Sequence, residues 1–281
     1  MLKTRLWMGS ILIVLALLVL TEGSFAAGAY PFLLVFTLGA AVLGTEELRR
    51  LLPASDRPRA WVAFPLIVAC ILVHWLTVDW SDALLGIVAG GCVLSLVVEI
   101  ACFTGPGGIV PRVSHTAFAV VLLGVLPGSL VRIRMMEPDA LRGGLMLAAT
   151  IFVPKFNDIG AYFTGKFLTG RVLGRTPFMP LLSPKKTWQG AVGGMLASIL
   201  TAIGLHEFGG LFRHGALEAV GFGVAVGTAG ILGDLAESLI KRDCGQKDAS
   251  STIPGFGGVL DVIDSLLFAA PVAWVWFTLA R

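Results

Sequence analysis

Apolar residues run through this chain in long blocks separated by shorter polar stretches. A helix that crosses a bilayer needs about 20 mostly apolar residues, with a working range of about 17 to 25. Nine blocks reach or approach that length, at residues 6–20, 26–43, 61–78, 83–101, 115–131, 141–154, 188–205, 217–234 and 259–280, the sixth being the shortest. In lipid only helices and closed barrels satisfy their own backbone groups, and blocks of this length are helical. The pattern therefore predicts an all-α fold: a polytopic integral membrane protein of about nine transmembrane helices, with its long polar loops on the cytoplasmic side. The last block breaks the pattern, because GGVLDVIDSLLFAAPVAWVWF, from Gly257 to Phe277, carries Asp261 and Asp264.

Composition agrees with that class. Of 281 residues 56% are hydrophobic and 14% charged, and the mean hydropathy is +0.86, which excludes an ordinary soluble domain. Cytoplasmic loops of membrane proteins hold an excess of Lys and Arg. With the N-terminus inside, 16 of the 21 Lys and Arg fall on the cytoplasmic side, from Lys3 and Arg5 through Arg171 and Arg175 to Lys247. Arg132, Arg134, Arg142, Arg213 and Arg281 stay on the other. The expected location is a bacterial inner, or cytoplasmic, membrane. The N-terminal segment also fits a secretory signal, with Lys3 and Arg5, an apolar core and small residues in SFAA. A second apolar run follows closely, so an uncleaved hairpin of two spans is the simpler reading.

Several polar features carry no chemistry of their own. Cys70, Cys92, Cys102 and Cys244 lack the close spacing of a zinc or redox site, and HEFGG at His206 lacks the second His of a zinc helix. His74 lies in a span and reads as a hydrogen-bonded interior imidazole. Gly86, Gly90 and Gly91 have the small-residue spacing that lets membrane helices approach. In the connector GTEELRRLLPASDRPRA, Glu46, Glu47, Arg49 and Arg50 read as a solvated helix end. Residues 1–150 thus read as a transmembrane scaffold, and residues 151–281 as the region that holds the long polar loops and any catalytic groups, in one integrated domain.

Two long connectors on the predicted cytoplasmic side carry the candidate chemistry. The first, from Pro154 to Gly190, contains SPKKTW: Ser183, a proline-set turn, Lys185 and Lys186, and Thr187 just before a helix begins. A helix N-terminus presents free N–H groups and partial positive charge, so with two ammonium groups it makes a polyanion site. A positive-inside anchor beside lipid headgroups explains the same residues equally well.

The second connector, from Gly233 to Ser265, favours the polyanion reading. On a helix continuing from the eighth span, Asp234, Ser238 and Lys241 share a face, and Asp261 and Asp264 share a face of the ninth. Pro254, Gly255, Gly257 and Gly258 permit a tight reversal between them. An Asp at the centre of a span costs about 2.5 to 3.5 kcal/mol even on the lenient insertion scale. Three converging carboxylates repel one another, and a divalent cation relieves that most directly. Hard oxygen ligands suit Mg²⁺, which binds substrate phosphates beside one or two protein ligands.

At these residues the chain resembles the phosphatidate cytidylyltransferases, also called CDP-diacylglycerol synthases. Their signature runs Ser, any, aliphatic, Lys-Arg, four residues, Lys-Asp, a small-residue loop ending His-Gly-Gly, then Asp-Arg, aliphatic, Asp. Here it reads SLIKRDCGQKDASSTIPGFGGVLDVID, Ser238 to Asp264, with every spacing kept. NDIGAYFTGK and SPKKTWQG upstream are similar to that family's segments, so the resemblance covers Pro154 to Ser265. Two positions depart: Phe256 stands for the usual His and Val262 for the usual Arg.

The resemblance implies transfer of a cytidylyl group from CTP to phosphatidate, with release of pyrophosphate. It implies a metal site of Asp234, Asp261 and Asp264 holding Mg²⁺, with room for a second cation, and Lys241, Lys247 and Asp248 as further catalytic groups. Asn157, Asp158, Ser183, Lys185, Lys186, Thr187, Ser238 and Arg242 would bind the substrates. Expected partners are CTP, phosphatidate and membrane lipid, a second copy of the chain in a homodimer, and no nucleic acid. Two alternatives stay open: an enzyme acting on another lipid phosphate, and an ion-coupled transporter, although intramembrane acids of a transporter would sit nearer the midplane.

Overall fold

The computed structural model describes residues 2–22, 30–76, 80–168, 174 and 176–280. The SFAA stretch at 24–27, and Arg171, Arg175 and Arg281, lie outside the described residues.

Hydropathy located the helical rods well. In chain order they are α1 Leu2–Thr21, α2 Pro31–Leu51, α3 Ala60–Leu76, α4 Trp80–Ala101, α5 Ile109–Val120, α6 Leu126–Met135, α7 Ala140–Phe167, α8 Trp188–Gly209, α9 Ala216–Asp243 and α10 Val259–Leu279. A five-residue π turn, Val121–Val125, joins α5 and α6 into one rod. Among the described residues this makes nine rods, one at each apolar block. Six are long and apolar enough to cross a membrane, while α1 and α3 contain shorter apolar helices. The chain is an integral membrane protein with an all-α architecture.

Among the described residues the strands are those of a small antiparallel hairpin, β1 Pro177–Met179 and β2 Ser183–Thr187, which pairs Pro177 with Thr187 and Met179 with Ser183. SPKKT is thus a strand rather than the expected proline-set turn. Pro184 is tolerated because a two-stranded hairpin has only edges, where a missing N–H costs no ladder bond. Thr187 does precede the helix as expected: it is the N-cap of α8, and its Oγ1 accepts from Gly190 N at 3.1 Å.

Three further expectations change. α7 does not stop at Pro154 but continues to Phe167, so Asn157 and Asp158 sit on a helix. The proline is accommodated because its ring packs where Gly230 of α9 has no side chain. Glu47 is not solvated but buried. Its Oε1 accepts from Ser250 Oγ at 2.6 Å and Val259 N at 2.9 Å, and its Oε2 accepts from Leu260 N at 2.9 Å, so α2 caps the start of α10. Glu46 does form the surface ion pairs, with Arg49 and Arg50. Of the glycines on α4, a methyl at Gly91 would press on Leu66, whereas one at Gly86 or Gly90 would meet nothing within 4 Å.

Close approach is concentrated on α9 instead. Gly223, Gly227, Gly230 and Gly233 face, in turn, Ile199 of α8, Ser198 of α8, Pro154 of α7 and the Asp264–Ser265 backbone of α10. Small residues at such spacing let helix backbones touch, and here they seat α9 between α7, α8 and α10. Phe212, Phe222, Val226, Ala269, Ala273 and Phe277 form a buried cluster deeper in that region. The polar ends of α7, α9 and α10 are therefore brought together by glycine contacts and held by an apolar core.

Candidate active site

Lys186 of β2 reaches across to α9, where its Nζ lies 2.7 Å from Asp234 Oδ2. The two residues line a cavity of about 530 Å³ together with Asn157, Asp158, Lys185 and Thr187. Asn157 is buried and oriented by its neighbours: its Nδ2 donates to Ser198 Oγ at 2.9 Å, and that hydroxyl donates to Val153 O at 3.2 Å. Tyr162 and Phe178 add aromatic surface to the same space. The cavity thus combines lysines, carboxylates and a helix N-terminus with apolar walls, a mixture suited to a phosphorylated ligand with an aromatic or lipid part.

Behind the cavity lies a dense ionic network. Asp234, Glu237 and Asp264 each bring one carboxylate oxygen within 4.8 Å of the others, a geometry able to hold a cation. Lys155 of α7 supports it from one side: its Nζ donates to Val262 O and Ser265 Oγ, both at 2.8 Å, and lies 3.5 Å from Asp264 Oδ1 and 3.8 Å from Asp158 Oδ2. Lys241 supports it from the other, with Nζ 2.6 Å from both Glu237 Oε2 and Asp261 Oδ1. Taken as ionised, five carboxylates (Asp158, Asp234, Glu237, Asp261, Asp264) face three ammonium groups (Lys155, Lys186, Lys241) in these pairs. An all-carboxylate donor set is the chemistry of Mg²⁺ or a similar hard ion.

Asp261 does not join this group as the sequence reading expected. Its Oδ2 accepts from Gly258 N at 2.7 Å and Ala249 N at 3.2 Å, while Oδ1 is held by Lys241. Three protein partners make it an organiser of the loop, and Glu237 takes the third place beside Asp234 and Asp264. The reversal before α10 forms as expected, with Gly255 and Gly257 at φ 87° and 104° and Ile253 N donating to Gly257 O at 2.7 Å.

The remaining expected site residues lie around the cavity rather than in its lining. Lys247 and Asp248 are exposed in the loop, Ser183 and Ser238 are half-buried, and Arg242 donates from Nη1 to Gln246 O at 2.9 Å. Phe256 is also exposed, with its ring 3.7 Å from where a methyl on Gly9 of α1 would stand. Sequence reasoning missed Glu237 and Lys155. The signal for Glu237 was its place three residues after Asp234, and for Lys155 its place three residues before Asp158, each on the same helix face.

Comparison with known proteins accords with this geometry. The chain is 32% identical over 269 residues to phosphatidate cytidylyltransferase 4, chloroplastic, of Arabidopsis thaliana, covering 85% of this chain and 66% of that protein. It is 34% identical over 242 residues to the phosphatidate cytidylyltransferase of Synechocystis sp., covering 83% of this chain and 76% of that one. It is 40% identical over 132 residues to the Haemophilus influenzae phosphatidate cytidylyltransferase, covering 46% and 44% of the two chains. The profile of the cytidylyltransferase family matches residues 3–280, nearly the whole length. With its lysines and carboxylates gathered around one cavity and a family match from end to end, the chain belongs to the cytidylyltransferase family.

Proposed function

We propose that this chain transfers the cytidylyl group of CTP to phosphatidate, giving CDP-diacylglycerol and pyrophosphate at the cytoplasmic face of a bacterial inner membrane. The observation that carries this reading is the pairing of Lys186 with Asp234 in the lining of one cavity, beside the carboxylates of Glu237 and Asp264. All nine rods cross the bilayer on this reading, residues 1–150 serve as scaffold, and residues 151–281 carry the chemistry.

In the reaction a phosphate oxygen of the lipid attacks the α-phosphorus of CTP. The new P–O bond forms as the bond to the bridging oxygen of pyrophosphate breaks, and that oxygen keeps the electron pair. A lipid phosphate is already anionic near neutral pH, so positioning and charge neutralisation matter more than base catalysis. Lys185 and Lys186 receive the triphosphate at the start of α8, and Asn157 and Asp158 line the same cavity. Lys155 and Lys241 hold Asp264 and Glu237 in place. Mg²⁺ bound by Asp234, Glu237 and Asp264 would neutralise charge on the reacting phosphates.

Purified protein incubated with labelled CTP, phosphatidate and Mg²⁺ is expected to yield a lipid-soluble cytidine nucleotide, and to yield none when the metal is chelated. A folded protein that makes no such product from phosphatidate, but makes one from another lipid phosphate, would move the reading to a different acceptor. No lipid-soluble product from any acceptor would defeat it.

A further inference from the structure

A second cavity, of about 710 Å³, lies between the α2–α3 connector and the α4–α5 turn and shares no lining residue with the candidate active site. Its walls carry Arg49, Arg57, Arg59 and Arg112 against a single acid, Glu99, so the lining side chains sum to plus three. The nearby carboxylates outside the lining are Glu46, paired with Arg49 and Arg50, and Asp56, which accepts from Ser55 Oγ.

The arginines are built into place. Glu99 is buried near the end of α4, and its Oε1 accepts from Arg59 Nε at 2.7 Å and Arg112 Nε at 3.0 Å. Its Oε2 accepts from Arg112 Nη2 at 2.6 Å and Arg59 Nη2 at 3.3 Å. One carboxylate thus aligns two guanidinium groups that are 53 residues apart in sequence, 59 to 112. Arg112 also donates to Ser55 O, and among the described residues Arg57 donates to the carbonyls of Leu52 and Arg50 and pairs with no carboxylate. Each guanidinium has five N–H donors, so each keeps donors for a ligand. The α5 helix begins beside them at Ile109, with Gly108 as an N-cap that supplies no side-chain acceptor.

Apolar side chains adjoin it: Phe103 of the lining is 58% exposed, and Ile100 and Val110, each next in the chain to a lining residue (Glu99 and Ile109), are 76% and 74% exposed. α2 carries Arg49 into this cavity two residues after Glu47, which caps α10, so the cavity opens on the same side as the candidate active site.

We infer that this cavity binds the phosphate of an anionic lipid headgroup, with the acyl chains leaving over Phe103, Ile100 and Val110. Arginine forks match phosphate oxygens bidentately, and a cavity of net plus three selects an anionic headgroup over a zwitterionic one. A free phosphate offers the same oxygens but gains nothing from the adjoining apolar side chains.

Cys102 is an exposed free thiol in the cavity wall and reports on this place alone. Its alkylation by N-ethylmaleimide, followed by peptide mass spectrometry on the full chain in neutral detergent, measures occupancy. Dioctanoyl phosphatidylglycerol is expected to slow the reaction, while dioctanoyl phosphatidylcholine and inorganic phosphate leave it nearly unchanged. Arg57→Gln is expected to weaken the protecting affinity about five-fold, the scale for one basic side chain at an anionic lipid surface, and Arg57→Lys to restore most of it. CTP turnover serves as the check that both variants are folded. Equal protection by phosphatidylcholine, protection by inorganic phosphate as strong as by the lipid, unchanged protection in Arg57→Gln, or no protection at all would each overturn the proposal.

Discussion

Lys241 of α9 and Asp261 of α10 stand 2.6 Å apart at the two ends of one loop, and Asp261 also accepts the N–H groups of Gly258 and Ala249. This carboxylate binds two helices and the loop between them into a unit. Asp264, one turn further along α10, faces Asp234 and Glu237 instead. Two acids three residues apart on one helix thus do different work, one organising the loop and one offering an oxygen to the group that could hold an ion.

Asparagine variants separate the two roles. Asp264→Asn and Asp234→Asn are expected to raise the half-saturating Mg²⁺ concentration for activity by about ten-fold or more, as loss of a charged group at a metal site does. Asp261→Asn is expected to lower turnover and thermal stability while the Mg²⁺ requirement stays within about two-fold. Titration of activity with Mg²⁺ for the three variants checks this, and an equal shift in Asp261→Asn would return that residue to the ion's own shell.

Glu47 makes the corresponding link from α2. Glu47→Ala leaves Val259 N and Leu260 N without their acceptor in a buried place, a loss of about 1 to 3 kcal/mol. The thermal unfolding midpoint in detergent is expected to fall and turnover to fall with it, because the same residue bonds Ser250 of the loop. Glu47→Gln, which keeps one acceptor oxygen, is expected to lie between wild type and Ala. A Glu47→Ala protein as stable and active as the parent would show the cap to be dispensable.

The rods were legible because burial in lipid imposes one requirement on every residue of a span, and hydropathy reads it directly. The ends were not. Pro154 looked like a terminus because the space that accepts its ring is made by Gly230, 76 residues away. Glu47 looked solvated because its polar neighbours Glu46, Arg49 and Arg50 are, while its own partners lie more than 200 residues on. Within the site, Asp234, Asp264, Lys186 and Asn157 stood out by motif and helical spacing. Lys155 did not, because one lysine at the end of an apolar block is what the positive-inside rule already predicts. Spacing along one helix shows which residues share a face; it does not show which face of the next helix they meet.

Phe256 departs from the family signature, yet its ring is directed toward α1 near Gly9 and is absent from the lining of the active-site cavity. Phe256→His is accordingly expected to fold and to leave KM for CTP within about two-fold, since no phosphate-binding group is gained or lost at the cavity wall. Steady-state kinetics over a CTP series measures it. A large change in KM would mean that the loop closes over the nucleotide and brings position 256 into the site.

Lys155 offers the sharpest test of the ionic network, because its removal has a predictable sign. The side chain contributes one of three positive charges facing five carboxylates, and its Nζ lies 3.5 Å from Asp264 Oδ1. A cation held by Asp234, Glu237 and Asp264 is repelled by that ammonium, so Lys155→Met, which keeps most of the length of the side chain, is expected to bind Mg²⁺ more tightly. The group is partly exposed and screened, which limits the effect to about three- to ten-fold. Turnover is expected to move the other way: Val262 O and Ser265 Oγ lose their donor, and Asp264 loses the partner that orients it. Lys155→Arg keeps the charge and should leave ion affinity near the parent value while recovering part of the turnover. Calorimetric titration of the full chain with Mg²⁺ reads the first quantity and CTP turnover the second. Weaker Mg²⁺ binding in Lys155→Met would show that the lysine builds the ion's place rather than opposing its charge, and would remove the electrostatic role assigned to it here.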